Sequence, residues 1–299
     1  MNLKKISRNL HELFFEDKDK QGARGSYEIA MLSDLHWDNP HCNRKLLKDH
    51  LDYCLENNIP VMLNGDTFCL MEGKGDPRRS KNIRPEHSNT RYLDSIVETA
   101  VDWFSPYAHI ITVVGYGNHE TGIIKHQETD LLRRFVDLLN YKNKSNVQVG
   151  GYGGWLNVRI RCRTTSLMSF LIKYYHGSGG GGVVTKGAIN LTRAMQMYEG
   201  MDCFTMGHIH ENSSRDDVRD TIRKPNKSGL EVVQKNIHLM HTGTYKDEYE
   251  DGYEGFHVER GRPPKICGGR ILKLSWARKR TDDKDCLIKS VSSSKFPLI

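Results

Sequence analysis

The 299-residue sequence predicts a single-domain α/β fold, on three observations. Apolar runs that stop abruptly at polar residues alternate with amphipathic helical segments over the first half. Runs that alternate apolar and polar residues dominate the second half. The length fits one large α/β core, and no internal repeat of the solenoid kind divides it.

The opening segment, MNLKKISRNLHELFFEDKDKQG, has early lysines, no uninterrupted apolar stretch and no small-residue cleavage site. It is read as a short amphipathic lead-in helix within residues 1–26, not a secretory signal. YEIAMLSDLH is an apolar run ending at Asp34 and His36, the form of a buried strand. RKLLKDHLDYCLENN spaces Leu47, Leu51, Cys54 and Asn58 by three and four, which predicts a helix closing at Asn57 and Asn58. IPVMLNGD is a second strand with Pro60 at its start, where a missing N–H is tolerated. Together these make a βαβ unit. Residues 71–89, rich in Gly, Pro and charge and without a period, form an inserted loop.

A helix near 90–104 leads to HIITVVGYGNHE, a third strand with a sharp polar stop. A helix over 123–140 follows, with Ile124, Leu131, Leu132, Phe135 and Leu139 as its buried stripe. Beyond it, WLNVRIRCR and LMSFLIKYYHG alternate, the latter placing Met168, Phe170, Ile172, Tyr174 and His176 in one phase. These two predict an antiparallel meander. AINLTRAMQMYE reads as a helix, and DCFTMGHIH, LEVVQKNIHLMHTGT and GGRILKLSW as strands; residues 277–299 are taken as a C-terminal extension.

Hydrophobic residues at 37% and charged residues at 27% fit a globular chain with a solvated surface. No apolar run approaches the ~20 residues that span a bilayer, so no membrane partner is expected. Seven cysteines without a CxxC argue against a disulfide framework and a thiolate zinc site, and favour a reducing cytoplasm. A formal net charge of +7 favours anionic partners but is equally that of an ordinary basic surface.

Five strand ends carry coordinating side chains: Asp34 and His36, then Asp66, Asn118 and His119, His176, and finally His208 and His210. In open α/β sheets, ligand sites lie beyond the carboxyl ends of strands, where residues distant in sequence meet. His208 and His210, two apart on an extended segment, would project to one side. Carboxylate, amide and imidazole without thiolate suit borderline divalent ions. Two such ions about 3.5 to 4 Å apart are a recurring device for phosphoester hydrolysis. Each group alone has a plainer explanation, such as a turn residue at Asn118 or a turn or helix cap at Asp66.

The ordered series SDLH, NGD, GNHE, YYHG and GHIH resembles the calcineurin-like metallophosphoesterase family from about residue 27 to 275. The resemblance implies a double β-sheet sandwich flanked by helices (αββα) and two divalent ions, Mn²⁺ foremost, with Fe, Zn, Ni or Mg as alternatives. It places Asp34, His36 and His210 on one ion, Asn118, His176 and His208 on the other, and Asp66 between both, with a hydroxide activated there as nucleophile. His119 would face the phosphate as cation or proton donor to the leaving oxygen. His241, before TGT, stands where relatives have a turn near the first ion.

The family's Ser/Thr phosphatase branch carries Arg before GNHE and a GDxVDRG motif, where this chain has Tyr116–Gly117 and Cys69. These departures imply a phosphodiester substrate, nucleic acid or a nucleotide. A phosphomonoesterase on protein or small molecules and a non-catalytic interaction module remain the alternatives. Lys186, after five glycines in residues 177–182, and Arg78 and Arg79 are candidate phosphate contacts beside Asn118 and His119. The row Arg159, Arg161, Arg163 is read first as a solvated strand face. Nothing in the sequence sets the oligomeric state.

Overall fold

The computed structural model of the chain describes residues 2–16, 24–70, 83–162, 167–223, 229–249, 256–259, 261–281 and 284–297. Strands and helices, numbered in chain order, form two mixed sheets with helices against them. The six-stranded sheet has the order β13-β12-β3-β4-β5-β6. Its members are β3 (Arg24–Leu32), β4 (Val61–Asn64), β5 (Ile111–Gly115), β6 (Gln148–Val149), β12 (Arg270–Thr281) and β13 (Lys284–Lys295). The seven-stranded sheet has the order β1-β2-β7-β8-β9-β11-β10. It comprises β1 (Asn2–Ser7), β2 (Leu10–Glu16), β7 (Gly153–Arg161), β8 (Leu167–Tyr175), β9 (Cys203–Met206), β10 (Asn212–Arg223) and β11 (Glu231–Thr242).

The helices are α1 (Arg44–Glu56), α2 (Tyr92–Phe104), α3 (Asn118–Gln127), α4 (Leu131–Asn143), α5 (Ala188–Met197) and the short α6 (Phe256–Glu259). β3, β4 and β5 run parallel, and every residue of β4 and β5 is buried, as expected for central strands covered on both faces. One face of this sheet, with Ile29, Met31, Met62, Val113 and Leu272, packs on Leu13, Val158, Ile160, Phe170 and Ile172 of the other sheet. Its opposite face carries α1, α2 and α4 over Leu32, Val61, Leu63 and Val114. Leu191 and Ala194 of α5 cover Phe204, Met206, Ile237 and Leu239 on the outer face of the seven-stranded sheet.

Several expectations need correction. The lead-in is a strand pair, not a helix: His11, Leu13 and Phe15 are buried in alternation, and β2 adds in parallel to β7. The helix expected over 123–140 is two helices. Glu128 turns left-handed (φ 50°), and Asp130 caps α4 by accepting the Arg133 N–H at 3.0 Å. Ile124 is consequently 38% exposed, while the other four expected stripe residues are buried.

The meander holds only for β7 and β8; β8–β9 and β9–β11 pair in parallel. Within the expected C-terminal extension, residues 277–281 continue β12, β13 pairs with it, and Phe296 stacks on His50 at 3.9 Å between ring centroids. Of the inserted loop, residues 83–89 are described and include a 3₁₀ turn, Pro85–His87. Arg78, Arg79 and Arg163 lie outside the described residues. Among those described, six cysteines are free and no helix is long and apolar enough to cross a membrane.

Candidate metal centre

The parallel strands β3, β4 and β5 end at one edge of their sheet, and β8 and β9 end together in the other. The two edges are stitched to each other. Asn64 at the end of β4 donates its amide to the Tyr175 carbonyl (3.1 Å), and the His176 Nδ1–H donates to the Asn64 carbonyl (2.9 Å). The backbone N–H of His208 donates to both Asp34 carboxylate oxygens, at 3.1 and 2.9 Å. Both sheets therefore deliver their strand-end side chains to one place.

Asp34, His36 and His210 form one group whose ligand atoms lie within 4.8 Å of one another, and Asp66, His176 and His208 form a second. In the first, His36 Nε2 is 3.4 Å from His210 Nε2, which is 3.3 Å from Asp34 Oδ1. In the second, His176 Nε2 is 3.2 Å from Asp66 Oδ2, and Asn118 Oδ1 lies 3.2 Å from His176 Nε2 and 2.8 Å from His208 Nδ1. Ligands about 2.1 Å from a shared tetrahedral ion would sit roughly 3.4 Å apart.

Electrostatics point the same way. Burial, with His119 and His210 beside it, holds the His36 imidazole well below its ordinary pKa. Its buried Nδ1 also has no hydrogen-bond partner. Burial opposes charge on His176 as well, yet the Asp66 and Asp34 carboxylates and the Asn64 carbonyl outweigh it and push that imidazole up to about 10. Burial raises the Asp66 pKa, but His176 and His119 more than reverse this and hold it well below the carboxylate range. Positive charge is thus demanded here, and the oxygen and nitrogen donor set fits divalent cations.

The backbone is forced into unusual conformations to present these groups. Asp34 (φ 52°), His36 (46°), Asp66 (48°), His208 (68°) and His210 (59°) are all left-handed. His208 and His210 therefore do not project from an extended segment, as their spacing suggested; they converge from a turn beyond β9. Glycines leave room beside them: a Cβ on Gly207 would lie 2.5 Å from Asp34 Oδ2 and Ser33 Oγ.

His119 sits at the mouth of the cluster. Its Nδ1–H donates to the Cys69 carbonyl (2.5 Å), which leaves Nε2 facing inward, 3.8 Å from Asp66 Oδ2. Its backbone N–H donates to Asp66 Oδ1 at 3.0 Å. His36, Cys69 and His119 also bring ligand atoms within 4.8 Å of one another. Lys186 is exposed in the turn before α5 (φ 44°), with no described hydrogen bond from its amine to the cluster. The Nδ1 of His241 faces the Ser213 hydroxyl at 3.0 Å; the neighbouring Thr242 and Thr244 are what reach Ser33 and the Asp34 carbonyl. Arg159 pairs with Glu12 at 3.2 Å, as a strand-face residue would.

Sequence reasoning missed the supports. Glu120, buried at the start of α3, accepts the N–H groups of Gly117 (2.7 Å), Asp66 (3.1 Å) and Phe68 (3.0 Å), tying the two ligand loops together. Burial and the Asp66 carboxylate push it up to about 8, against the Phe68 and Gly117 N–H groups and the nearby His176. Asp38 accepts from the backbone of Cys69 and Leu70 (2.5 and 2.9 Å) and fixes the carbonyl that orients His119. The Ser33 hydroxyl donates to Asp34 Oδ2 at 2.5 Å. The acid in GNHE, three residues after a glycine that opens a helix, was the available signal for Glu120.

No protein-family model matches the chain, and no curated protein matches it significantly. A solved structure of GAP50, the anchor in the inner membrane complex of Plasmodium, is similar over 92% of this chain and 89% of that one, at 10% identity and a TM-score of 0.38. A likeness that slight carries no argument about fold or function.

Proposed function

We propose that the chain is a metal-dependent phosphodiester hydrolase of the calcineurin-like metallophosphoesterase type, acting on nucleic acid or a nucleotide in a reducing cytoplasm. The double-sandwich fold of that family belongs to the same proposal. The observation that carries it is the convergence of two carboxylate–imidazole groups, joined by Asn118, at the facing ends of five strands. Asp34, His36 and His210 would hold one ion, Asn118, His176 and His208 the second, and Asp66 would stand between them. Two bound ions would supply Lewis-acid charge for the phosphate oxygens and lower the pKa of the attacking water.

The chain's own contribution is orientation and proton transfer. The Cys69 carbonyl holds the proton of His119 Nδ1, so Nε2 faces inward, and a second proton taken up there, as imidazolium, would be aimed toward the leaving oxygen. Where the monoester-cleaving branch has Arg and a carboxylate, Tyr116 is tied through its hydroxyl to Asp130 (2.6 Å) and the Cys69 thiol accepts the Asn39 amide (3.3 Å). The Tyr116 position offers no cation for a dianionic monoester, which supports a diester.

The test is Mn²⁺-reconstituted protein assayed on bis(p-nitrophenyl) phosphate and p-nitrophenyl phosphate, with metal analysis alongside. About two ions per chain and preference for the diester are expected. Preference for the monoester would move the assignment to a phosphatase, and less than one ion with no turnover would make the chain a non-catalytic module.

A further inference from the structure

A cavity of about 500 Å³ lies against the Asn118–His176 side of the centre, with Lys5, Arg8, Tyr116, Arg133, Gly151 and Tyr152 in its lining. Two of its walls lead straight to the proposed ligands. Tyr116 is two residues before Asn118. The Tyr152 carbonyl accepts the His176 backbone N–H at 2.9 Å, and its ring stands edge-on to that imidazole with centroids 5.4 Å apart. The far wall is the end of β1, which brings Lys5, the turn after it, which brings Arg8, and the first turn of α4, which brings Arg133.

The charge there is predominantly positive. Lys5, Arg8 and Arg133 are exposed. The carboxylate in the lining, Asp130, is already engaged by the Tyr116 hydroxyl (2.6 Å) and the Arg133 backbone N–H (3.0 Å). Three cations around two half-buried tyrosines suit an anion joined to a flat base, because phosphates seek Lys and Arg and bases stack on aromatic rings. The volume falls within the range of small-ligand sites.

We propose that this cavity is a subsite for a second phosphate of the substrate, flanking the one cleaved, with the Tyr116–Tyr152 wall receiving the nucleoside that bears it. This rests on the phosphodiesterase reading and deepens it: the substrate carries at least two phosphates. That chemistry is offered by a nucleic-acid strand or by a nucleoside polyphosphate. The three cations stand outside the ligand groups and His119, so their removal leaves the chemical step intact.

The experiment compares the parent protein with a Lys5→Gln/Arg8→Gln/Arg133→Gln variant and with a Lys45→Gln/Lys142→Gln/Lys273→Gln control that removes equal charge elsewhere. Binding of a fluorescein-labelled oligothymidylate is measured by anisotropy in EDTA, and turnover with Mn²⁺ is measured on bis(p-nitrophenyl) phosphate and on TpT with and without a 5′-phosphate. The cavity variant is expected to bind at least tenfold more weakly than the parent and to lose a tenfold or greater preference for the 5′-phosphorylated dinucleotide, with bis(p-nitrophenyl) phosphate turnover within twofold. The control should stay within twofold throughout. Competition by ADP as strong as that of phosphorylated TpT identifies a nucleoside polyphosphate as the source, and weaker competition a strand. Equal binding and equal preference in parent and cavity variant, with diester turnover present, overturns the subsite and leaves the proposed function standing. A parent that hydrolyses no phosphoester overturns that function, and the EDTA binding arm still judges the cavity.

Discussion

The sharpest test of the centre's construction is Gly117→Ala. Gly117 has ordinary extended backbone (φ −111°, ψ −174°), so the substitution adds no conformational strain of its own. Its cost is steric. A Cβ there would lie 2.0 Å from Asp66 Oδ1 and 2.4 Å from the Asp66 backbone nitrogen. Restoring a normal contact of roughly 3.4 Å requires movement of about 1 to 1.4 Å in Asp66 or in the Asn118–His119 turn, and neither is a flexible side-chain tip. Glu120, bonded to both Gly117 and Asp66, resists their separation.

A 1 Å misplacement of reacting groups costs about 10²-fold in rate, and overpacking of this kind costs about 1–3 kcal/mol of stability. The expected result is turnover of bis(p-nitrophenyl) phosphate down about 100-fold or more, metal content down from two ions toward one, and a lower melting temperature. Gly180→Ala is the control: a Cβ there meets a single atom, Arg262 Nη2 at 3.8 Å, and should leave all three measurements unchanged. If Gly117→Ala holds two ions and turns over within twofold of the parent, the placement of Asp66 between the two ligand loops is wrong.

Other outcomes follow from the same geometry. Asp66→Asn should lower metal content and activity together, read by metal analysis and diester turnover, since it weakens the carboxylate beside His176. His119→Ala should keep both ions and lose roughly 10²-fold in rate; normal turnover would remove the proton-donor role. In metal-free protein, His50, stacked on Phe296 and bonded to Tyr245, has its pKa pushed down by burial to about 4. Its unfolded form, near 6.5, binds the proton first, so stability is lost as pH falls from about 6.5 toward 4. Between pH 7 and pH 5 this amounts to about 1–2 kcal/mol. Chemical denaturation in EDTA should show a shallower pH dependence for His50→Gln by that amount.

The parts of the fold legible in the sequence are those whose own residues decide their environment. β8 buries Met168, Phe170, Ile172 and Tyr174 in the phase its alternation announces, and α1 buries Leu47, Leu51 and Cys54 as their spacing requires. β4 and β5 could be seen as apolar runs with polar stops, and those stops put the candidate ligands at strand ends. β2 was misread because Leu10, Leu13 and Phe14 also satisfy a helical period; the partner that decides for a strand, β7, lies 145 residues on in the Leu10–Trp155 pairing. β10, NSSRDDVRDTIR, has too few apolar residues to announce itself and exists by its pairing with β11. The candidate ligand residues were nameable from type and position, whereas the left-handed backbone at five of them and the role of Glu120 depend on contacts between loops that no local pattern encodes.

Placing five non-glycine residues in left-handed backbone costs roughly 1 kcal/mol apiece. The sum rivals the net stability of an ordinary domain, about 5–15 kcal/mol. A population of this sequence evolving under demand for heat tolerance alone would drift toward glycine first at His36, His208 and His210. The Asp34 and Asp66 carboxylates, which accept buried donors from His208, Ser33 and His119, would be held longer. Laboratory selection without substrate would replay that drift, with melting temperature and metal uptake moving in opposite directions.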